Sequence, residues 1–182
     1  AQWQDLKFGM FIHWGTYSVT GVIESWSLDP RHIEWCYKFR PKDMSYEEYV
    51  RSYENLITQF NPVSFDPETW AKAAKYAGMK YMVIPWCSVP KTLADLQTIC
   101  DFYNQVGKKV AAAGMKLGYH NHSHEFQKVE GKVMEDYMIE HTDPNYLFFQ
   151  MDVYWTVRGQ QSPVDYFNKY PGRFSLLHIK DN

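Results

Sequence analysis

Two hydrophobic rhythms take turns along this chain. Short unbroken apolar runs suit strands buried on both faces, and stripes at three- and four-residue spacing suit helices packed by one side. The first run is Phe8–Trp14 (FGMFIHW), read as a strand. Residues 15–44 follow without a rhythm and are rich in turn formers. Ser45 and Glu48 then have capping-box spacing, with Tyr46, Tyr49, Val50, Tyr53, Leu56 and Ile57 at helical intervals. Asp66-Pro67 opens a second helix, in which Trp70, Ala73, Ala74 and Ala77 form the inner stripe and Gly78 the stop.

From there strands and helices alternate. Lys80–Trp86, Met115–His122, Tyr146–Tyr154 and Phe174–Ile179 read as strands. A long helix carries Leu93, Leu96, Ile99, Cys100, Tyr103, Val106 and Val110 and closes at Gly114. Val133–His141 is a shorter one, and Pro163–Lys169 a third with Ser162 as cap. This order predicts an α/β fold of parallel strands joined by right-handed crossovers. A closed (β/α)₈ barrel needs eight strands and typically ~250 residues, whereas the pattern supplies about five strands in 182 residues. The expectation is one α/β domain over residues 1–182, built of parallel β/α units of a partial TIM barrel. Its open sheet edges predict a homo-oligomer that covers or completes them.

In parallel α/β folds chemistry collects at the C-terminal ends of strands. His120, His122 and His124 alternate at the end of the third predicted strand, so a period of two puts them on one face, and Glu125 follows. Asp152 interrupts an apolar run, where an unpaired charge is costly, and His178 does the same in LLHIKD. Imidazoles and carboxylates from three strand ends suit a divalent cation such as Mn²⁺, Zn²⁺, Co²⁺ or Mg²⁺. Such an ion polarises a sugar carbonyl while a neighbouring group moves a proton. The plainer alternative stays open: hydrogen-bonded histidines in a strand-end loop, and Asp152 as cap of the following turn. Trp86 and Cys87 end the second strand with a ring and a thiol. Trp155 and Lys180 stand beside the fourth and fifth ends. His13 tips the first, ahead of the carboxylate–ring pairs Glu24/Trp26 and Glu34/Trp35.

Composition narrows the partners. A net charge of -2 gives no basic footprint for nucleic acid, and no run of about 18 apolar residues spans a membrane. Three scattered cysteines make no disulfide framework, and they favour the cytoplasm over export. Aromatic residues at 18% exceed what a small core needs, which fits rings that stack on sugars as well as plain packing. The expected partner is a small sugar or sugar phosphate, with no nucleotide cofactor.

Two resemblances share the chain. KFGMFIHWGTYSV, ESW and FDPETWAKAAKYAGMKYMV resemble the opening of the α-L-fucosidase catalytic barrel, from about Lys7 to Val83. That resemblance implies sugar-binding roles for His13, Glu24 and Trp26. The family's nucleophilic aspartate has no counterpart, since the strand continues as IPWCSVP. Residues 84–182 are similar instead to sugar phosphate isomerases/epimerases of the xylose-isomerase-like barrel superfamily, through GKKVAAAGMKLGYHNHSHEF, MDVYW and PVDYFNKYPGRFSLLHIKD. This second resemblance implies a metal held by Asp152 and His178, with a further metal or substrate group from His120, His122 or Glu125. The expectation takes His122 as the third ligand and Glu125 and His120 as the groups moving protons. Trp86, Trp155 and Lys180, at the strand ends, are the candidate substrate contacts. That superfamily's last strand adds a closing carboxylate ligand, and the expectation is that this sequence stops before it. The expectation is a chimera joined at about Met79–Val83. Three readings of it stay open: a metal-dependent isomerase or epimerase, a fucosidase-like hydrolase, and a catalytically silent barrel chimera.

Overall fold

The computed structural model describes residues 14–22, 25–30 and 39–180. The chain divides into two compact units, Ala1–Ala77 and Gly78–Asn182.

In the first unit, α1 (Tyr46–Glu54) starts at the capping box: Ser45 Oγ accepts from the Glu48 N–H, and Glu48 Oε2 accepts from the Ser45 N–H at 2.9 Å. Helix α2 (Pro67–Tyr76) starts at Asp66, whose Oδ1 accepts from the N–H groups of Glu68 and Thr69. Trp14 meets Phe60, Phe65 and Trp70 at centroid distances of 5.4, 4.9 and 5.5 Å. Arg40 donates to the Ser27 and Asp29 carbonyls and lies over the Tyr46 ring, which pins the Trp26–Leu28 turn. The predicted strand Phe8–Trp14 lies outside the described residues, Trp14 excepted.

The second unit holds strands β1 (Tyr81–Ile84), β2 (Lys116–His120), β3 (Lys128–Val129), β4 (Lys132–Val133), β5 (Leu147–Asp152) and β6 (Phe174–His178). Its helices are α3 (Leu93–Ala112), α4 (Met134–His141), α5 (Val153–Arg158) and α6 (Pro163–Lys169). β1, β2, β5 and β6 form one sheet in that order, every pair parallel. It is a partial parallel sheet with helices, an incomplete TIM-barrel-like fold. Four of the five predicted strands are in it.

Two elements depart from the expected pattern. The strand predicted to run to Tyr154 stops at Asp152, because the Asp152 carboxylate accepts from the Trp155 N–H and caps α5. Lys128–Val133 is a hairpin whose turn residues Glu130 and Gly131 both have positive φ (46° and 87°), the backbone that a two-residue hairpin turn requires. Glu130 Oε2 also accepts from the Leu93 N–H at the start of α3.

Alternation sorts the sheet into two faces. Leu117, Tyr119, Leu147, Phe149 and Met151 share the core with Leu96, Cys100 and Tyr103 of α3 and Met138 and Ile139 of α4. Each such side chain contributes about 1.5–3 kcal/mol by leaving water. The opposite face carries Gly118, His120, Phe148, Gln150 and Asp152. The Phe148 ring lies across Gly118, where a Cβ would stand 2.4 Å from Phe148 Cζ, and it meets Tyr81 edge-on at 5.6 Å. That ring is the floor on which the polar residues of the same face stand. Among the described residues no helix is long and apolar enough to cross a membrane.

Candidate metal centre

At the C-terminal edge of the sheet, His120, Asp152 and His178 converge. One ligand atom from each lies within 4.8 Å of the others. Asp152 Oδ2 stands 2.8 Å from His178 Nδ1 and 3.6 Å from His120 Nε2. Asp152 has no exposed surface, yet this oxygen has no hydrogen-bond partner. A buried carboxylate oxygen without a donor is costly, and two imidazole nitrogens beside it make a cation the natural remedy.

The surroundings fix each ligand. His120 Nδ1 stands 3.1 Å from Gln150 Oε1. An amide oxygen only accepts, so Nδ1 carries the proton and Nε2 keeps its lone pair toward Asp152. Burial pushes the His120 pKa down, which keeps the ring neutral and free to ligate. The Asp152 backbone is clamped by Asn121, which is itself buried: its Oδ1 accepts from the Asp152 N–H at 2.9 Å and its Nδ2 donates to Thr156 Oγ1. His178 reaches the cluster through an irregularity in β6. Phe149 pairs with Phe174 but Gln150 with Leu176, so Ser175 is an extra residue and His178 falls opposite Asp152.

The donor set fits a divalent ion. Two imidazoles and one carboxylate are a mixed nitrogen–oxygen set suited to Zn²⁺, Mn²⁺ or Co²⁺. Among the described residues these three side chains offer one ligand atom each, fewer than the four of a closed structural zinc site. Atoms within 4.8 Å of one another have about the spread expected of ligands that each stand ~2.0–2.2 Å from one ion.

A second network adjoins the first. Glu125, also without exposed surface, accepts from the Tyr119 hydroxyl and from the His122 N–H, both at 2.8 Å. His124 Nε2 lies 3.2 Å from Glu125 Oε1 and 2.9 Å from the Cys87 carbonyl. A carbonyl only accepts, so Nε2 carries the proton and Nδ1 the lone pair. Burial raises the Glu125 pKa, against the lowering effect of the Tyr119 hydrogen bond. Burial likewise raises the Cys87 thiol.

His120 therefore stands with Asp152 and His178, one of the three groups (His120, His122 and Glu125) that the sequence leaves open for this place, while His122, named from sequence as the metal ligand, is not in that cluster. The His122 ring packs 5.1 Å from His120 and 5.5 Å from Trp155, and its buried Nδ1 has no partner. Burial and the two flanking histidines push its pKa down to about 4. Trp86 lies against His124 at 5.6 Å, and Lys180 Nζ lies 5.0 Å above both the Tyr154 and Trp155 rings. Trp26 is in the first unit, 41% exposed. His13 and Glu24 lie outside the described residues. Gln150 and Asn121 escaped the sequence reading. Gln150 sits two residues before Asp152 in the same strand, so its shared face was the available signal.

Comparison with known proteins finds two different likenesses. Residues 1–86 match the family model for α-L-fucosidase. Human tissue alpha-L-fucosidase is 34% identical over 91 residues, 46% of this chain and 18% of that protein. The bovine enzyme is 31% identical over the same shares. The chain thus spans under a fifth of the length of these relatives. Among solved structures, a sugar phosphate isomerase/epimerase from Parabacteroides distasonis aligns with a TM-score of 0.59 and 38% identity, covering 63% of this chain and 44% of that one. A second structure under the same description aligns at 0.58 and 39%. The chain is thus similar in fold to a sugar phosphate isomerase/epimerase and carries a His/Asp/His cluster able to hold a divalent ion.

Proposed function

We propose that the second unit is the metal-binding part of a sugar isomerase or epimerase. The observation that supports this most is the donorless Asp152 Oδ2 facing His178 and His120. A divalent ion held by these three residues would polarise a sugar carbonyl and lower the barrier to removing a proton beside it. Gln150 keeps His120 in the ligating tautomer. The proton passes to His124 Nδ1. Glu125, 3.2 Å behind its Nε2, orients the ring and stabilises the imidazolium, so it acts as a positioning residue. Lys180 takes an anionic substituent of the substrate.

The test is solvent exchange. Aldoses, ketoses and their phosphates are incubated with the protein and Mn²⁺ in D₂O and followed by NMR. The expected result is deuterium at the carbon next to the carbonyl, dependent on Mn²⁺ and lost in Asp152→Asn. Failure of calorimetry to detect Mn²⁺ binding overturns the reading.

The fucosidase match over residues 1–86 supports a second proposal: the chain joins a fucosidase-like segment to an isomerase-like one at about Met79–Val83. Release of 4-nitrophenol from its α-L-fucoside would show that the first segment still works as a hydrolase. A homo-oligomer that covers the outer strands β1 and β6 belongs to the same proposal, and light scattering tests it.

A further inference from the structure

Rings continue outward from the metal-capable cluster. His120 meets His122 at 5.1 Å, His122 meets His124 at 5.8 Å in a near-parallel stack, and His124 meets Trp86 at 5.6 Å. Trp86 is 56% exposed, so its indole is not packed as core. A large exposed ring at the end of a row of polar rings offers a face to the C–H side of a sugar. Beside the row, the buried His122 Nδ1 has no partner, and a substrate hydroxyl would satisfy it.

Size and chemistry then limit what lies there. A sugar ring is about as wide as one aromatic ring. A monosaccharide bound at His120, Asp152 and His178 therefore covers the His122 end and leaves Trp86 beyond it. The polar groups recorded around His124 are the Cys87 carbonyl and the Glu125 carboxyl. Both are acceptors already facing His124 Nε2, and neither offers a donor to a phosphate.

We propose that Trp86, beyond His124, forms a second sugar subsite, and that the substrate is a disaccharide or other glycoside whose second sugar stacks on Trp86. This rests on the reading of His120, Asp152 and His178 as the site of the reacting sugar.

The test measures binding of D-glucose, D-fructose, cellobiose, trehalose and lactulose to the full chain by calorimetry, once with Mn²⁺ and once with EDTA. At least one disaccharide is expected to bind tenfold or more tightly than its component monosaccharides. Trp86→Ala should remove that advantage and leave monosaccharide and Mn²⁺ affinities unchanged, while Trp86→Phe should keep most of it. Circular dichroism of both variants controls for folding. Equal binding of mono- and disaccharides overturns the subsite, as does a Trp86→Ala loss that falls equally on both. A disaccharide advantage that depends on Trp86 in EDTA, with no Mn²⁺ binding, upholds the subsite and overturns the metal reading.

Discussion

The end of β5 and the loop after β2 each bury a carboxylate completely, and they treat it in opposite ways. Glu125 has both oxygens engaged, by the Tyr119 hydroxyl, the His122 N–H and the nearby His124 ring. Asp152 has one oxygen capping α5 and the other facing His178 and His120 without a donor. Burial is therefore no guide to chemistry by itself. What separates a ligand from a support is an oxygen left without a hydrogen bond and turned toward imidazole nitrogens of two other strands. Asp152 does both jobs at once, one with each oxygen, so the capping and the metal-ligand explanations of this residue are not rivals.

The largest way to break the contrast is Asp152→Asn. The amide oxygen still caps α5, but the second position becomes a donor and cannot ligate. Mn²⁺ affinity is expected to fall by more than the ~100-fold typical of losing an outer partner, read by calorimetry, while the metal-free melting temperature stays close to the parent's. Unchanged affinity would remove Asp152 from the site. Gln150→Leu is the next step down. It removes the acceptor on His120 Nδ1 and is expected to cost about 10–100-fold in Mn²⁺ affinity. Gln150→Glu, which restores an acceptor, should recover most of it. Affinity that ignores Gln150 would mean that the tautomer is set some other way.

On the supporting side, Tyr119→Phe takes one donor from Glu125 and a partner from Cys87, whose Sγ lies 3.2 Å from the hydroxyl. Denaturant unfolding is expected to show a loss of about 1–2 kcal/mol, with Mn²⁺ affinity unchanged. The reverse pattern, weaker metal binding at parental stability, would erase the distinction between the two carboxylates.

The sequence carried the local signals well. Ser45 with Glu48, Asp66 with Pro67 and Ser162 with Pro163 mark helix starts that the structure has, because a cap is a contact within a few residues. Asp152 and His178 stood out as polar breaks in apolar strands. His178 was nonetheless unreadable as a neighbour of Asp152. Without the extra residue Ser175, Leu177 would fall opposite Asp152 and His178 would point to the helix-covered face. His120 and His122 share a face only while the strand lasts, and β2 ends at His120. The choice between them depended on a strand end that apolar spacing leaves open by a residue or two. The hairpin Lys128–Val133 was missed because its strands are two residues each, too short for a period to show.

A third buried carboxylate sharpens the comparison from outside. Glu135, second in α4, has neither a donor nor a lone-pair partner on either oxygen. Burial pushes its pKa well up, with further upward pressure from Glu125 and Asp136 and opposition from Arg173. An acid whose folded pKa lies above its unfolded value costs nothing below about pH 4.5, where both states hold the proton. As pH rises past that point the unfolded chain ionises freely while the folded one resists, so stability drains away. Glu135→Gln has no proton to lose. Its stability relative to the parent is expected to rise steadily above about pH 4.5 and to reach an advantage on the order of 1 kcal/mol near neutrality. Paired denaturant titrations at pH 4, 5.5 and 7 measure it. A difference that stays flat with pH would mean that Glu135 ionises as easily inside as outside. Glu135 would then have partners, and the rule that separates Asp152 from Glu125 would lose its control.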